Sequence, residues 1–163
     1  MTMIKILVCV LATVLIVAAT SPSIAQSEES LIWRETSDGN AVSLSYGSLD
    51  DSKNPIFLLS CFNAMDVAVL NVFSVIEGKR PGQPVAIELS AGSKNLSLDA
   101  ESSIDSKTSS MFAESGEVAL EPILAVLQES GPVTVKLAFT TKTLSDAGRE
   151  AAVVKFIEDC ELD

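Results

Sequence analysis

The first 25 residues constrain the fold most, because they predict the compartment in which the rest of the chain folds. Lys5 precedes an apolar run over residues 6–19, and small residues follow up to Ala25. A positive charge, an apolar run and a small-residue exit, in that order, are typical of a secretory signal peptide. The run is shorter than the roughly 20 residues of a membrane-spanning helix. We therefore predict cleavage between Ala25 and Gln26 and export of the remaining chain.

The predicted export affects how the cysteines are interpreted. Cys9 lies in the apolar run and leaves with it, so that Cys61 and Cys160 remain. An even number of cysteines in an exported chain favours a disulfide. The alternative, a two-cysteine metal or redox site, lacks both a Cys-x-x-Cys spacing and histidine. The bond would close a loop of about 100 residues, worth on the order of 4–5 kcal/mol in the chain-entropy model.

Composition excludes several classes of function. The chain has no histidine, so that Ser-His-Asp and Cys-His catalytic centres and His-ligated zinc, copper or haem cannot be built. Neither Ser-x-x-Lys nor a glycine-rich phosphate loop occurs. We expect no catalytic residues, no cofactor and no metal.

The chain is acidic, which bears on its partners. Lys and Arg number 11 and Asp and Glu 22; residues 1–25 contain one Lys and no acid, so the mature net charge is 10 minus 22, or −12. No basic block is present, which disfavours nucleic acid. A cationic partner is one interpretation, and a solvated acidic surface is the other.

Residues 26–30 form a polar leader, expected to be flexible, and residues 31–163 suit a single β-rich domain. Apolar and polar residues alternate over 41–46 and on both sides of Gly92 over 85–100, which predicts antiparallel hairpins. Further strands are predicted over residues 31–36, 55–62, 67–76 and 132–139. Residues 101–116 are serine-rich, with a weak period around Met111 and Phe112, and are interpreted mainly as a surface loop that could hold one short strand.

Two helices are predicted. A short one contains Pro122 and ends before Gly131. The other is C-terminal: Thr143 and Asp146 resemble a capping box. Its apolar stripe comprises Val153, Phe156, Ile157 and Cys160, and Arg149, Glu150, Lys155 and Glu158 lie off the stripe.

The predicted fold class is α+β and mainly antiparallel β. It is a sandwich or curved sheet of about seven or eight strands with a short helix and a C-terminal helix, which the disulfide staples to the sheet. Cys61 shares a strand face with Phe57 and Leu59, and Cys160 lies on the helix stripe, so that both sulfurs point toward the core.

Four residues are candidates for a binding surface. Trp33 and Tyr46 fall in the first predicted hairpin, where their rings could face a ligand or belong to the core. Lys79 and Arg80 form the local basic spot, which could anchor an acidic partner or be an ordinary loop tip. The acidic pair 50–51 and the acidic end 158–163 are interpreted as solvated charge.

A resemblance to other proteins bears on the cellular location of this chain. Trp33, Ser45-Tyr46-Gly47, the stretch Phe57 to Cys61, the hairpin with Gly92 and the final Phe156-x-x-x-Cys160 are similar to small uncharacterised periplasmic proteins of Gram-negative bacteria. More loosely, the chain resembles periplasmic accessory proteins of type VI secretion systems. The resemblance implies a periplasmic location, the disulfide and a β-rich fold, and it implies no catalytic residue.

The leading hypothesis is a non-enzymatic periplasmic or secreted binding or accessory protein, whose partner is another periplasmic protein or an envelope component. Nucleic acid and a membrane span after cleavage are not expected. The alternative hypothesis is an acidic inhibitor of a cationic hydrolase such as lysozyme, because opposite charge accelerates association. A third is an enzyme that uses carboxylates alone.

Overall fold

The computed structural model describes residues 30–39, 41–50, 53–62, 67–76 and 78–160. The predicted signal peptide, the cleavage site between Ala25 and Gln26, and all of the leader except Ser30 lie outside these ranges. Asn40 and residues 63–66 lie outside them as well.

The described residues form one sheet and two helices. The sheet is mainly antiparallel and curls into a half-barrel, with strand order β1-β2-β3-β4-β7-β6-β5-β8-β9. This confirms the predicted fold class in its curved-sheet form, with nine strands in the described ranges. The strands are β1 Ile32–Asp38, β2 Ala41–Gly47, β3 Phe57–Phe62, β4 Val67–Phe73, β5 Pro84–Ala91, β6 Lys94–Ile104, β7 Met111–Ser115, β8 Val133–Leu137 and β9 Thr140–Leu144.

The predicted hairpins are confirmed. β5 and β6 pair from Pro84↔Glu101 to Ala91↔Lys94. Gly92, with φ of 51°, opens the two-residue turn between them. β5 is buried at every second residue, which is the pattern of a strand with one face on the core.

The interpretation of residues 101–116 as mainly loop is wrong. β6 continues to Ile104, and β7 lies inside the sheet between β4 and β6. The buried side chains of β7 are the small Ala113 and Ser115. Small inward residues give no apolar alternation, which is why the pattern did not indicate a central strand.

The predicted strand over 132–139 is too long, and β9 was not predicted. β8 ends at Leu137, and Ala138, with φ of 50°, begins the turn to β9. Phe139, the last residue of the predicted strand, lies in this turn and is 89% exposed. Among the five residues of β9, only Leu144 is buried, so the strand shows no apolar period.

Two helices pack on the face of the sheet that carries the core. α1, Leu120–Leu127, packs on β5 and β6, and α2, Arg149–Asp159, packs on β1 and β2. Phe156 of α2 is fully buried in the same core as Phe57. Lys155 of α2 binds the carboxylate of Glu35, whose side chain is 3% exposed, and also Asp159 at 2.6 Å.

The disulfide between Cys61 and Cys160 is confirmed. Cys61 lies in β3, and Cys160 is the C-cap residue of α2. Their Cα atoms are 6.3 Å apart, and 99 positions separate them in the chain. The bond therefore fixes the C-terminal end of α2 to the sheet. This agrees with the prediction that Cys61 and Cys160 both lie on faces that point toward the core.

Candidate functional site

A cleft of about 550 Å³ opens between the end of α1 and the start of α2. Residues 127–131 line one side; Asp146, Arg149, Glu150, Val153 and Val154 line the other. We call it the α1–α2 cleft. Its volume falls in the range of about 300–1,000 Å³ that is usual for ligand pockets.

Two glycines shape the cleft. Gly131, with φ of 82°, turns the chain from α1 toward β8, and Gly148, with φ of 77°, precedes the first residue of α2. The left-handed backbone at both places favours glycine, because other side chains rarely adopt it. The chain therefore reverses abruptly on both sides of the cleft.

The capping box predicted from Thr143 and Asp146 is wrong. Thr143 belongs to β9, and the N-cap residue of α2 is Gly148, which has no side chain to accept a hydrogen bond. The N–H groups of a first helical turn have no partner inside the helix. Arg149 N donates to the carbonyl oxygen of Asp146, and the first turn of α2, which has no side-chain cap, places the positive end of the helix dipole beside the cleft.

Arg149 is the central side chain of the cleft. Only 4% of the residue is exposed. Nη2 donates a hydrogen bond to the carbonyl oxygen of Glu129, whereas Nη1 is buried and has no partner among the described residues. Burial lowers the pKa of Arg149, and the charge of Asp146 acts in the opposite direction. A buried cation with a spare donor is a strong acceptor-binding group.

Acidic side chains surround this cation. Asp146 and Glu150 are exposed at the rim, and Glu129 is half-buried. The side chain of Glu129 lies over the β5–β6 turn, so that a Cβ added at Gly92 would be 2.5 Å from Oε2. The turn, with φ of 51° at Gly92, is what favours glycine there, whereas the carboxylate of Glu129 lies at the end of a flexible side chain that can move. The cleft combines a deep positive group with a negative rim.

The prediction that Arg149 lies off the buried stripe of α2 is wrong. Arg149, Val153, Phe156 and Cys160 are all buried, and they follow the spacing i, i+4, i+7, i+11 of one helix face. This spacing in the sequence therefore indicated that Arg149 lies on the buried face of the helix. The charge of Arg149 concealed it, because charged residues are rarely fully buried.

Trp33 and Tyr46 are core residues, which is the alternative that the sequence allowed. They are 5% and 4% exposed, and the centroid of the indole ring lies 5.1 Å from that of Tyr46 and 5.5 Å from that of Phe57. Trp33 Nε1 donates to the carbonyl oxygen of Ser145 at 2.5 Å, and Ser145 N donates to Tyr46 Oη at 3.2 Å. These bonds tie β1 and β2 to the segment after β9.

Lys79 and Arg80 lie in the loop before β5. Lys79 Nζ donates to the carbonyl oxygen of Pro84 at 2.9 Å, and Ser102 Oγ donates to that of Arg80 at 2.6 Å. The loop lies at the opposite end of the β5–β6 hairpin from Gly92 and Glu129. The structure therefore does not bring the four predicted residues together into one surface.

The predicted acidic clusters are divided by the described ranges. Asp50 is described and Asp51 is not, and residues 161–163 also lie outside. Asp159 binds Lys155. Within the described ranges, no three His, Cys, Asp or Glu side chains are grouped so that they could hold a metal ion.

No family model, curated protein or solved structure matches this chain. Among the described residues, no helix has the length and apolar character needed to cross a membrane.

Proposed function

We propose that this protein is a non-enzymatic, exported binding protein and that it takes its ligand in the α1–α2 cleft. The observation that carries the proposal is Arg149, a buried cation that lines an open cleft with one guanidinium nitrogen unpartnered. An unmet buried donor costs free energy, which a ligand acceptor would recover.

Two observations support export. The disulfide between Cys61 and Cys160 is typical of oxidising compartments. Residues 1–25 have the order of a signal peptide. Together with the resemblance to periplasmic proteins, they favour the periplasm over release from the cell.

The absence of histidine from the sequence supports a binding role over catalysis. The charged groups at the cleft are the guanidinium of Arg149 and the carboxylates of Glu129, Asp146 and Glu150. A guanidinium remains protonated and serves to hold and orient an acceptor rather than to exchange a proton.

Thermal unfolding with a panel of sodium acetate, phosphate and short peptides tests the proposal. At least one member should raise the Tm of the wild type, because a ligand that binds only the folded state stabilises it. The same member should leave the Tm of Arg149→Met unchanged, while the matched variant Arg80→Met responds as the wild type does.

The same panel can contradict the proposal. If no member raises the Tm, and no backbone amide of residues 127–131 or 146–154 shifts in ¹⁵N–¹H spectra, the cleft is not a binding site. Ligand-induced shifts that persist in Arg149→Met would also overturn the role of Arg149.

One observation favours a second function, inhibition of a cationic hydrolase such as lysozyme. Glu101 and Glu114 are exposed and directly opposite each other in the pairing of β6 and β7. Like charges in that position destabilise a sheet, and a cationic partner would relieve the repulsion. Purified protein should then slow cell-wall lysis by lysozyme, and Glu101→Gln/Glu114→Gln should inhibit less. Unchanged lysis at micromolar protein would end this candidate.

A further inference from the structure

We infer that the ligand of the α1–α2 cleft is a short peptide-like molecule with a free carboxylate and a cationic group. The carboxylate binds at Arg149 and the start of α2, and the cation binds at the rim formed by Asp146 and Glu150. The inference rests on the proposed function and adds the charge pattern of the ligand.

Two independent features at the same place indicate where the carboxylate of the ligand binds. Arg149 is 4% exposed, with Nη1 unpartnered among the described residues. The 11-residue helix α2 begins at the same residue and has no side-chain cap. A guanidinium and the N-terminal N–H groups of a helix both favour an anionic oxygen. A carboxylate is planar and fits the fork of donors of an arginine.

The cationic end follows from the rim. Asp146 and Glu150 are both exposed, and both line the cleft. A ligand with negative charge alone would meet these carboxylates and a chain of net charge −11. A second, positive group on the ligand turns that repulsion into attraction, so that the rim selects against simple anions.

The wall between the two ends is partly apolar, and the cleft is large enough for a dipeptide. Leu127 and Val153 are buried in the cleft wall, whereas Val154 is 50% exposed. The methylene stem of a lysine side chain packs well on such a surface while its ammonium remains in water. The volume of about 550 Å³ suits a ligand of this size.

Three probes separate the two charges. They are N-acetyl-Gly-Lys with a free carboxylate, the same peptide as its C-terminal amide, and N-acetyl-Gly-Glu with a free carboxylate. Calorimetric titration at low ionic strength should show the tightest binding for the first. We expect each of the other two to bind about tenfold or more weakly, because each loses one charge-assisted contact.

Variants assign each contact to its residue. Arg149→Met should abolish discrimination between the free acid and the amide, and Arg149→Lys should retain part of it. Asp146→Asn/Glu150→Gln should remove the preference for the lysine peptide over the glutamate peptide. Glu121→Gln, at the other end of α1, is the matched control and should behave as the wild type does. Circular dichroism checks that each variant is folded.

The outcomes distinguish this inference from the proposed function. Equal binding of the free acid and the amide, or of the lysine and glutamate peptides, overturns the charge pattern. The proposed function remains valid in that case, because a ligand still binds in the cleft. If none of the three peptides binds, the inference is overturned, and the acetate and phosphate arms of the thermal panel decide the proposed function separately.

Discussion

The two ends of α2 are held in opposite ways. At the C-terminal end, Cys160 is bonded to β3, and Cys160 N donates to the carbonyl oxygen of Phe156, which is fully buried. At the N-terminal end, Gly148 provides no cap, and Arg149 is buried with Nη1 unpartnered among the described residues. One end is fixed to the sheet by a covalent bond and by packing, whereas the other end has no side-chain cap and no covalent link.

The difference shows where stability and binding are located in this molecule. A helix that is fixed to the sheet at one end can tolerate a costly polar group at the other, because the rest of the core keeps it in place. Each end therefore predicts a different response to mutation: large losses of stability at the anchored end, and loss of binding with little change in stability at the cleft.

The largest effect is expected at the anchored end. Cys61→Ala/Cys160→Ala should lower the free energy of unfolding by about 4 kcal/mol, because the bond restricts a long loop of the unfolded chain. Urea denaturation followed by circular dichroism measures the loss. Wild-type protein unfolded with a reductant should show a similar decrease. A loss below about 1 kcal/mol would mean that the disulfide does not anchor the helix.

A smaller loss is expected where β1 meets the segment after β9. Trp33→Phe removes the indole N–H that binds the carbonyl oxygen of Ser145 at 2.5 Å. We expect a decrease of about 1–3 kcal/mol in the free energy of unfolding, since a part-buried acceptor loses its donor. Phe139→Leu is the aromatic control and should have almost no effect, because Phe139 is 89% exposed. Equal effects of the two substitutions would contradict this assignment.

At the cleft, stability should scarcely fall. Arg149→Met removes a buried charge, which is favourable, but it also removes the donor to the carbonyl oxygen of Glu129, so we expect the free energy of unfolding to change by no more than about 1 kcal/mol in either direction. The same variant should lose ligand binding. Chemical denaturation and calorimetric titration on one preparation provide both readouts. If the variant loses more than about 2 kcal/mol, Arg149 is a structural residue and the contrast between the two ends fails.

The smallest effect concerns the ion pair of Lys155 and Asp159. The hydrogen bond from Lys155 lowers the pKa of Asp159, so the contribution to stability is present above the unfolded pKa, about 3.9. It is lost as pH falls through the lower folded pKa. Asp159→Asn should therefore flatten the decline of stability below about pH 4 in urea titrations at several pH values. Glu121→Gln is the control, and an unchanged slope in Asp159→Asn would contradict the prediction.

Much of the fold could be predicted because its signals are local. The β5–β6 hairpin follows from period-two alternation around Gly92, and the disulfide follows from two cysteines in a chain expected to be exported. Cys61 and Cys160 also lie on apolar faces that can be identified independently. The hairpin needs only one short stretch of sequence, and the disulfide needs only the number of cysteines and the two local apolar faces on which they lie.

The remainder depends on tertiary context. β7 is central, but its inward residues are Ala113 and Ser115, and β9 buries only Leu144. Neither strand has an apolar period of its own. Each takes its place in the sheet by pairing with the neighbouring strands. The cleft joins residues 127–131 to residues 146–154, and no sequence pattern indicates that these segments meet. Among the charged residues of the cleft, Arg149 is the one whose burial the sequence could have indicated. It shares its helical spacing with Val153, Phe156 and Cys160, which are buried.

Trp33 has a consequence for experiments. It is the single tryptophan of the chain, and the carbonyl group that its indole binds belongs to Ser145, the neighbour of Asp146 at the cleft. Its fluorescence is therefore a built-in optical reporter, which needs no label. A shift of the emission to longer wavelength would signal water entry beside the ring, and a change on adding peptide would show that the segment over 145–149 has moved.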